Sequence, residues 1–331
     1  MTTFVEPLPS VGADGTCQSI KEIIITHFET YKRDRSTNKD PSRAAEALHG
    51  DILTFLFPHK NTEDEMTEEQ VSKEVAAAVT HCMECAMFTI AKYTGMGFTK
   101  DSWGESVTSI LELAAAYATG SVSGKDESVA RAVIQRAIEY LMAEKDAIRT
   151  ESCIMLGWGV KHLVESSKPA ASILKKKGSK NSSRSAVNTK QNNTVSGWIL
   201  DCLLDVGREL QPRLTDESSE VRNAAILACA SFFPEGKTID ANSKDFEKMI
   251  ASIQKTLLEI MKHDSSAPNR VLVTQSKCVL ADTIPSLIER VRDVDVKVRE
   301  AALDSLRKNV NLDDLTEDQR VEILRYGLTK R

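Results

Sequence analysis

An Asp followed, after five intervening residues, by an Arg recurs in this chain at Asp216 with Arg222, Asp264 with Arg270, and Asp293 with Arg299. Two copies sit in longer matching frames. One runs from Leu210 through Pro212 and Leu214 to Asp216, then Val221, Arg222 and Ala225; the other from Pro285 through Leu287 to Asp293, then Val298, Arg299 and Ala302. A helix ends before each Asp, a tight turn follows, and the Arg falls in the first turn of a second, antiparallel helix. The Asp is expected to cap the turn. The Arg is expected to reach back to it, so that Asp216 with Arg222 and Asp293 with Arg299 brace their own hairpins. A lone helical hairpin cannot bury its apolar face, whereas stacked copies can. The pattern therefore implies an all-α superhelix, a solenoid, which holds partners more often than it runs chemistry.

The spacing agrees. Arg222 and Arg299 lie 77 residues apart, close to two units of a two-helix repeat of about 40 residues. Ala, Leu, Glu and Lys are abundant, and only 15 Gly and 9 Pro interrupt the chain, a composition that favours helices over sheets. Helices are expected at about 19–32, 41–57, 67–93, 105–118, 127–143, 147–165, 196–214, 219–232, 244–262, 267–281, 284–292, 295–310 and 317–328. Thr67 with Gln70 and Thr316 with Gln319 read as capping boxes that open two of these. The organisation expected is a disordered N-terminus at 1–16, N-terminal helical repeats at 17–165, a disordered basic insertion at 166–195, and further repeats at 196–331.

No run of about eighteen apolar residues exists to span a membrane. Seven Cys scatter singly or, at Cys82 and Cys85, as a CxxC in mid-helix. That pair lacks a second Cys/His pair at zinc spacing and reads as core thiols. No glycine-rich phosphate loop, clustered His or nucleophile signature appears. We expect no enzyme activity, no cofactor, no metal and no small-molecule substrate.

The strongest charge feature is the insertion. Between Ser166 and Leu200 lie Lys168, Lys175, Lys176, Lys177, Lys180, Arg184 and Lys190, and no Asp or Glu. A flexible basic arm can neutralise several phosphates without sequence preference. It can also serve as a nuclear localisation signal through Lys175–Lys177, or simply as a soluble linker. Ser179, Ser182, Ser183 and Ser185 lie among these charges, so phosphorylation would cancel much of them. A second basic group, Arg290, Arg292, Lys297, Arg299, Arg307 and Lys308, is interleaved with five acids. With Arg299 assigned to its hairpin, Arg290 and Arg292 are the freer candidates for partner contact.

The residues from Pro285 onward are more specific than a generic repeat. They read Ile284-Pro-Ser-Leu-Ile-Glu-Arg290-Val-Arg292-Asp-Val294, then Val298-Arg299, Ala302, Leu306 and Val310, then Gln319-Arg320-Val321, Leu324 and Gly327-Leu328. This closely resembles the N-terminal HEAT region of the condensin complex subunit 3 family, the chromosome-associated polypeptides G. Leu214-Thr-Asp216 with Val221-Arg222 and Ala225 is similar to the preceding family repeat, and Ala147-Ile-Arg149 with Cys153 and Leu156 to the one before. Where the family has Pro-Glu-Val-Arg-Arg, this chain has Pro268-Asn-Arg270, a departure in the middle repeat. The family's chains are much longer, so the resemblance implies an N-terminal piece. It also implies a HEAT-type superhelix without catalytic activity, which binds a kleisin subunit and duplex DNA alongside SMC ATPase subunits in mitotic chromosome condensation, in the nucleus and on chromosomes. The alternative is a HEAT adaptor of the transport or phosphatase-scaffold kind, without nucleic-acid contact.

Overall fold

The computed structural model describes residues 20–33, 47–48, 51, 68–96, 110–117, 127–166, 197–233, 243–276, 283–311, 313 and 315–327. The segment 1–16, all of the expected insertion beyond Ser166, most of the second expected helix and Thr67 lie outside these residues. The described residues are helical, with no strand among them. In chain order the helices are α1 (Ile20–Arg33), α2 (Glu68–Gly95), α3 (Glu127–Tyr140), α4 (Asp146–Ser166), α5 (Gly197–Leu210), α6 (Ser219–Ala230), α7 (Lys244–His263), α8 (Ala267–Gln275), α9 (Ile284–Arg290), α10 (Val296–Asn309) and α11 (Glu317–Gly327). A further helical stretch covers 110–117, and a short 3-10 helix, Gln211–Thr215, extends α5.

Each helix forms where apolar residues recur at helical spacing. In α7, Phe246, Met249, Ile250, Ile253, Leu257, Ile260 and Met261 are buried on one stripe, the pattern of a helix with one face on a core. Its start is fixed by Ser243, whose side chain accepts from the Phe246 amide, and its last turn carries Lys262 and His263, placed well against the helix dipole. Asp295 caps α10 by accepting from the Lys297 and Val298 amides. The second capping box is present as expected: the Thr316 amide donates to Gln319 Oε1 at 3.0 Å and the Gln319 amide to Thr316 Oγ1 at 3.3 Å.

The helices pair into four hairpins, α3–α4, α5–α6, α7–α8 and α9–α10, which stack in two layers. The first helices pack in the order α3, α5, α7, α9, and the second helices in the order α4, α6, α8, α10. α1 and α2 add to the α3 end, and α11 lies against both α9 and α10. One buried core runs through the whole stack. The second layer is the tighter of the two at α4 and α6, because small residues face each other there. A side chain placed on Gly157 of α4 would put its Cβ 2.9 Å from Ala228 Cα of α6.

Candidate functional site

The three Asp carboxylates each satisfy their own turn. Asp216 Oδ1 accepts from the Ser218 amide (3.0 Å), Asp264 Oδ1 from the Ser266 amide (2.7 Å) and Asp293 Oδ1 from the Asp295 amide (2.9 Å). A short acid two residues ahead of an amide does this readily, and the bond holds the chain in the turn conformation. Capping of the turn by Asp is therefore as the sequence suggested.

The brace is different. Within a hairpin the Arg reaches the Asp's backbone, not its carboxylate. Arg222 Nη1 donates to the Asp216 carbonyl (2.8 Å) and Arg299 Nη1 to the Asp293 carbonyl (2.8 Å). In Arg149, Arg222 and Arg270 the outer edge of the guanidinium then crosses to the next hairpin. Arg149 Nε and Nη2 donate to Asp216 at 2.9 Å each. Arg222 donates likewise to Asp264 at 2.7 and 2.9 Å, and Arg270 to Asp293 at 3.0 and 2.7 Å. The pairing is Arg149–Asp216, Arg222–Asp264 and Arg270–Asp293, a ladder between hairpins rather than three closed loops. The cause is geometric. Each carboxylate is pinned by its own amide with its open edge toward the preceding hairpin, while the turn's exposed carbonyls fix its own Arg through Nη1.

These rungs are largely shielded from water. The Arg270 and Asp293 side chains are 8% and 3% exposed, and Arg222 and Asp264 12% and 2%. Burial pushes each of the three carboxyls up. The facing guanidinium's hydrogen bonds, the capping amide and the guanidinium's charge outweigh it, and all three lie below the ordinary carboxylate value. Bidentate pairing of this kind fixes orientation as well as proximity. Arg270 completes its rung despite the departure at Pro268-Asn-Arg270. Arg149 joins the ladder although its hairpin carries Ala143 where the others have Asp.

Arg290 and Arg292, expected to be the freer cations, are both engaged. Arg290 Nη1 donates to the Lys262 carbonyl (2.9 Å) and to Asp293 Oδ2 (3.1 Å). Arg292 pairs with Glu322 at 3.0 Å and lies over the Tyr326 ring, 5.5 Å from its centroid. The two arginines hold neighbouring helices together. Lys168, Lys175, Lys176, Lys177, Lys180, Arg184 and Lys190 lie outside the described residues.

Cys82, Cys153, Cys202 and Cys229 are buried. Burial pushes the Cys153 thiol up to about 12 and the Cys202 thiol up to about 11, so neither is a ready nucleophile. Cys85 Sγ lies 3.8 Å from His81 Nε2. Among the described residues no three His, Cys, Asp or Glu side chains converge as a metal site, and no helix is long and apolar enough to cross a membrane.

One surface feature had no signal that stood out in the sequence. A groove opens between α8 and the start of α10, walled by Pro268, Val271, Leu272, Val294 and Val296. Val294 is 92% exposed and Val296 51%. Val294 occupies the place filled in the other turns by Glu217 and Ser265. Comparing the three turns residue by residue would have found it.

Antiparallel helical hairpins stacked in two layers and locked by a repeating Arg–Asp ladder define a HEAT-repeat solenoid. Residues 205–226 and 284–306 match the family described as HEAT repeat associated with sister chromatid cohesion. The chain is similar to condensin complex subunit 3, with 29% identity to the Homo sapiens protein over 126 residues and 27% to the Xenopus laevis protein over 145. Those stretches cover 38% and 44% of this chain but only 11% and 13% of the relatives' lengths. Among solved structures, the S. pombe condensin Cnd3-Cnd2 subcomplex shares the fold, with a TM-score of 0.52 and 17% identity over 95% of this chain and 31% of that one.

Proposed function

We propose that this chain is a non-catalytic HEAT-repeat subunit of a condensin complex, acting in chromosome condensation in the nucleus and on chromosomes. What carries the reading is the similarity to condensin complex subunit 3, beside a family match at residues 205–226 and 284–306, which lie in the laddered hairpins. The kleisin subunit is the proposed direct partner, and the SMC ATPase subunits join through the assembled complex. The apolar groove at Val294 and Val296 offers an extended segment a place to bury side chains, and the ladder on either side keeps its walls in register. Affinity-purified chain is expected to retain the kleisin of the same condensin. Val294→Glu, on an exposed turn, is expected to weaken that retention at least tenfold without changing helix content. A chain that recovers no kleisin, in a preparation whose helicity is intact, removes the partner assignment.

Duplex DNA is the second proposed partner, held without sequence preference by the seven basic residues from Lys168 to Lys190. Seven phosphate contacts give a log–log dependence of affinity on salt with a slope of about −6. A fluorescence titration of labelled duplex at several salt concentrations is expected to show it, with a slope near zero once the seven residues are replaced by Gln. No binding at about 50 mM salt removes DNA contact and leaves a protein-binding adaptor.

A further inference from the structure

The residue that follows each ladder Asp differs: Glu217 after Asp216, Ser265 after Asp264 and Val294 after Asp293. Ser265 is exposed in its turn, and a guanidinium stands beside it. Arg222 Nη1 is taken by the Asp216 and Glu217 carbonyls at 2.8 and 3.0 Å, and Nε by Asp264 at 2.7 Å. Nη2 donates to Asp264 at 2.9 Å and to Ser265 Oγ at 3.5 Å. The contact to Ser265 is the longest of these and lies at the limit of a hydrogen bond. An acid is already accommodated at this place one turn earlier, where Glu217 follows the Asp216 that Arg149 holds.

The start of α8 also lacks negative charge. Its N-cap Ser266 makes no side-chain cap and its first turn holds no acid. By contrast, α6 carries Glu220 in its first turn and α10 is capped by Asp295. Anions are favoured at such a helix end. We propose that Ser265 is a phosphorylation site whose phosphate docks on Arg222 and the start of α8, tying the α5–α6 hairpin to the α7–α8 hairpin. Lys262, three residues ahead and 27% exposed, supplies a basic flank for a kinase to read. In the transfer, Ser265 Oγ forms a bond to the γ-phosphorus of ATP and the bond from that phosphorus to the β–γ bridging oxygen breaks. ADP leaves, and the hydroxyl proton passes to a base of the kinase. The neighbouring Asp264 does not expel the phosphate, because its carboxylate is taken by Arg222, the Ser266 amide and Asn269. Phosphorylation places a charge of about −2 where the guanidinium edge has only a hydroxyl to bond. The inference is independent of any condensin partner.

The test has two arms, both on the full chain. In the first, chain isolated from the growing cells that make it is fragmented and read by mass spectrometry, with phosphate expected on Ser265. In the second, chain carrying phosphoserine at this position is titrated by phosphorus NMR, folded and in concentrated urea. A free phosphoserine loses its second proton near about pH 6. In the folded chain that step is expected about half a pH unit or more lower than in urea, because Arg222 and the helix end favour the dianion. Arg222→Lys keeps the charge without the fork and is expected to retain only part of the difference. Circular dichroism checks that this variant folds, and the comparison of folded with unfolded parent chain decides without it. Fragments covering the turn that carry no phosphate on Ser265, equal titration in the two states, or a higher value in the folded chain overturns the proposal.

Discussion

Replacing Asp293 by Ala is expected to destabilise the C-terminal hairpins by about 3–5 kcal/mol, the scale for breaking one side of a buried ion pair. Asp293 accepts from Arg270 through both oxygens, from Arg290, and from its own Asp295 amide. Its loss leaves Arg270 without its carboxylate partner and Arg290 with only the looser Glu289 contact at 3.9 Å, where the two arginine side chains are 8% and 16% exposed. Those charges, not the missing attraction, make the cost large. Combining Asp293→Ala with Arg270→Met is therefore expected to recover part of the loss, since removing both partners of a buried pair is far cheaper than removing one. Asp304→Ala is the contrast. Asp304 pairs with Arg307 across 53% and 74% exposed side chains, and such pairs contribute about 0–1 kcal/mol. Urea titration followed by circular dichroism separates the cases; equal midpoints for Asp293→Ala and Asp304→Ala would refute the argument. Acid acts through the same atoms. Because the three ladder carboxyls lie below their ordinary value when folded, their stabilisation is complete above the unfolded carboxylate range, about pH 4. It is lost as the pH falls through the lower folded values.

Gly157→Val is the second large effect, and it arises from packing alone. A Cβ at this position meets Ala228 Cα at 2.9 Å and Ala228 Cβ at 3.1 Å. The first of these is backbone, so no rotamer change relieves it, and α4 and α6 have to separate. Overpacking in a close-packed core costs about 1–3 kcal/mol. A branched side chain against a helix backbone belongs at the upper end. Ala228→Gly removes the second contact but leaves the first, so it is expected to rescue only part of the loss. Gly197 is the control: nothing lies within 4 Å of a Cβ there. Gly197→Ala in the first turn of α5 is expected to be neutral or slightly stabilising. Thermal denaturation checks the order, and a Gly157→Val chain as stable as Gly197→Ala would contradict the contact.

The hairpins were legible because their signals are local. The Asp, the turn and the Val-Arg that follows lie within a few residues, and capping residues such as Thr316 mark helix starts directly. The pairing across hairpins was not legible. The rungs join residues 67, 42 and 23 positions apart, so no fixed interval announces them. The nearest Asp in sequence to Arg222, Arg270 and Arg299 belongs to each one's own turn, which makes the closed brace the natural reading. Arg290 and Arg292 were misjudged for a related reason. A cation's freedom depends on which helix lands beside it, and the Lys262 carbonyl and Glu322 are brought there only by stacking. The Val294 groove, too, exists only once α8 and α10 are adjacent.

The unequal spans have a further consequence. Every internal hairpin with Asp and Arg takes from the one before and gives to the one after, so the ladder has a direction, like a chain of couplings with a hook at one end and an eye at the other. The length of polypeptide between couplings is left unspecified: the 67-residue interval from Arg149 to Asp216 and the 23-residue interval from Arg270 to Asp293 close with the same bidentate geometry. An array built this way can lengthen its connections without disturbing register. It cannot have a module turned end for end, because two hooks would then face each other.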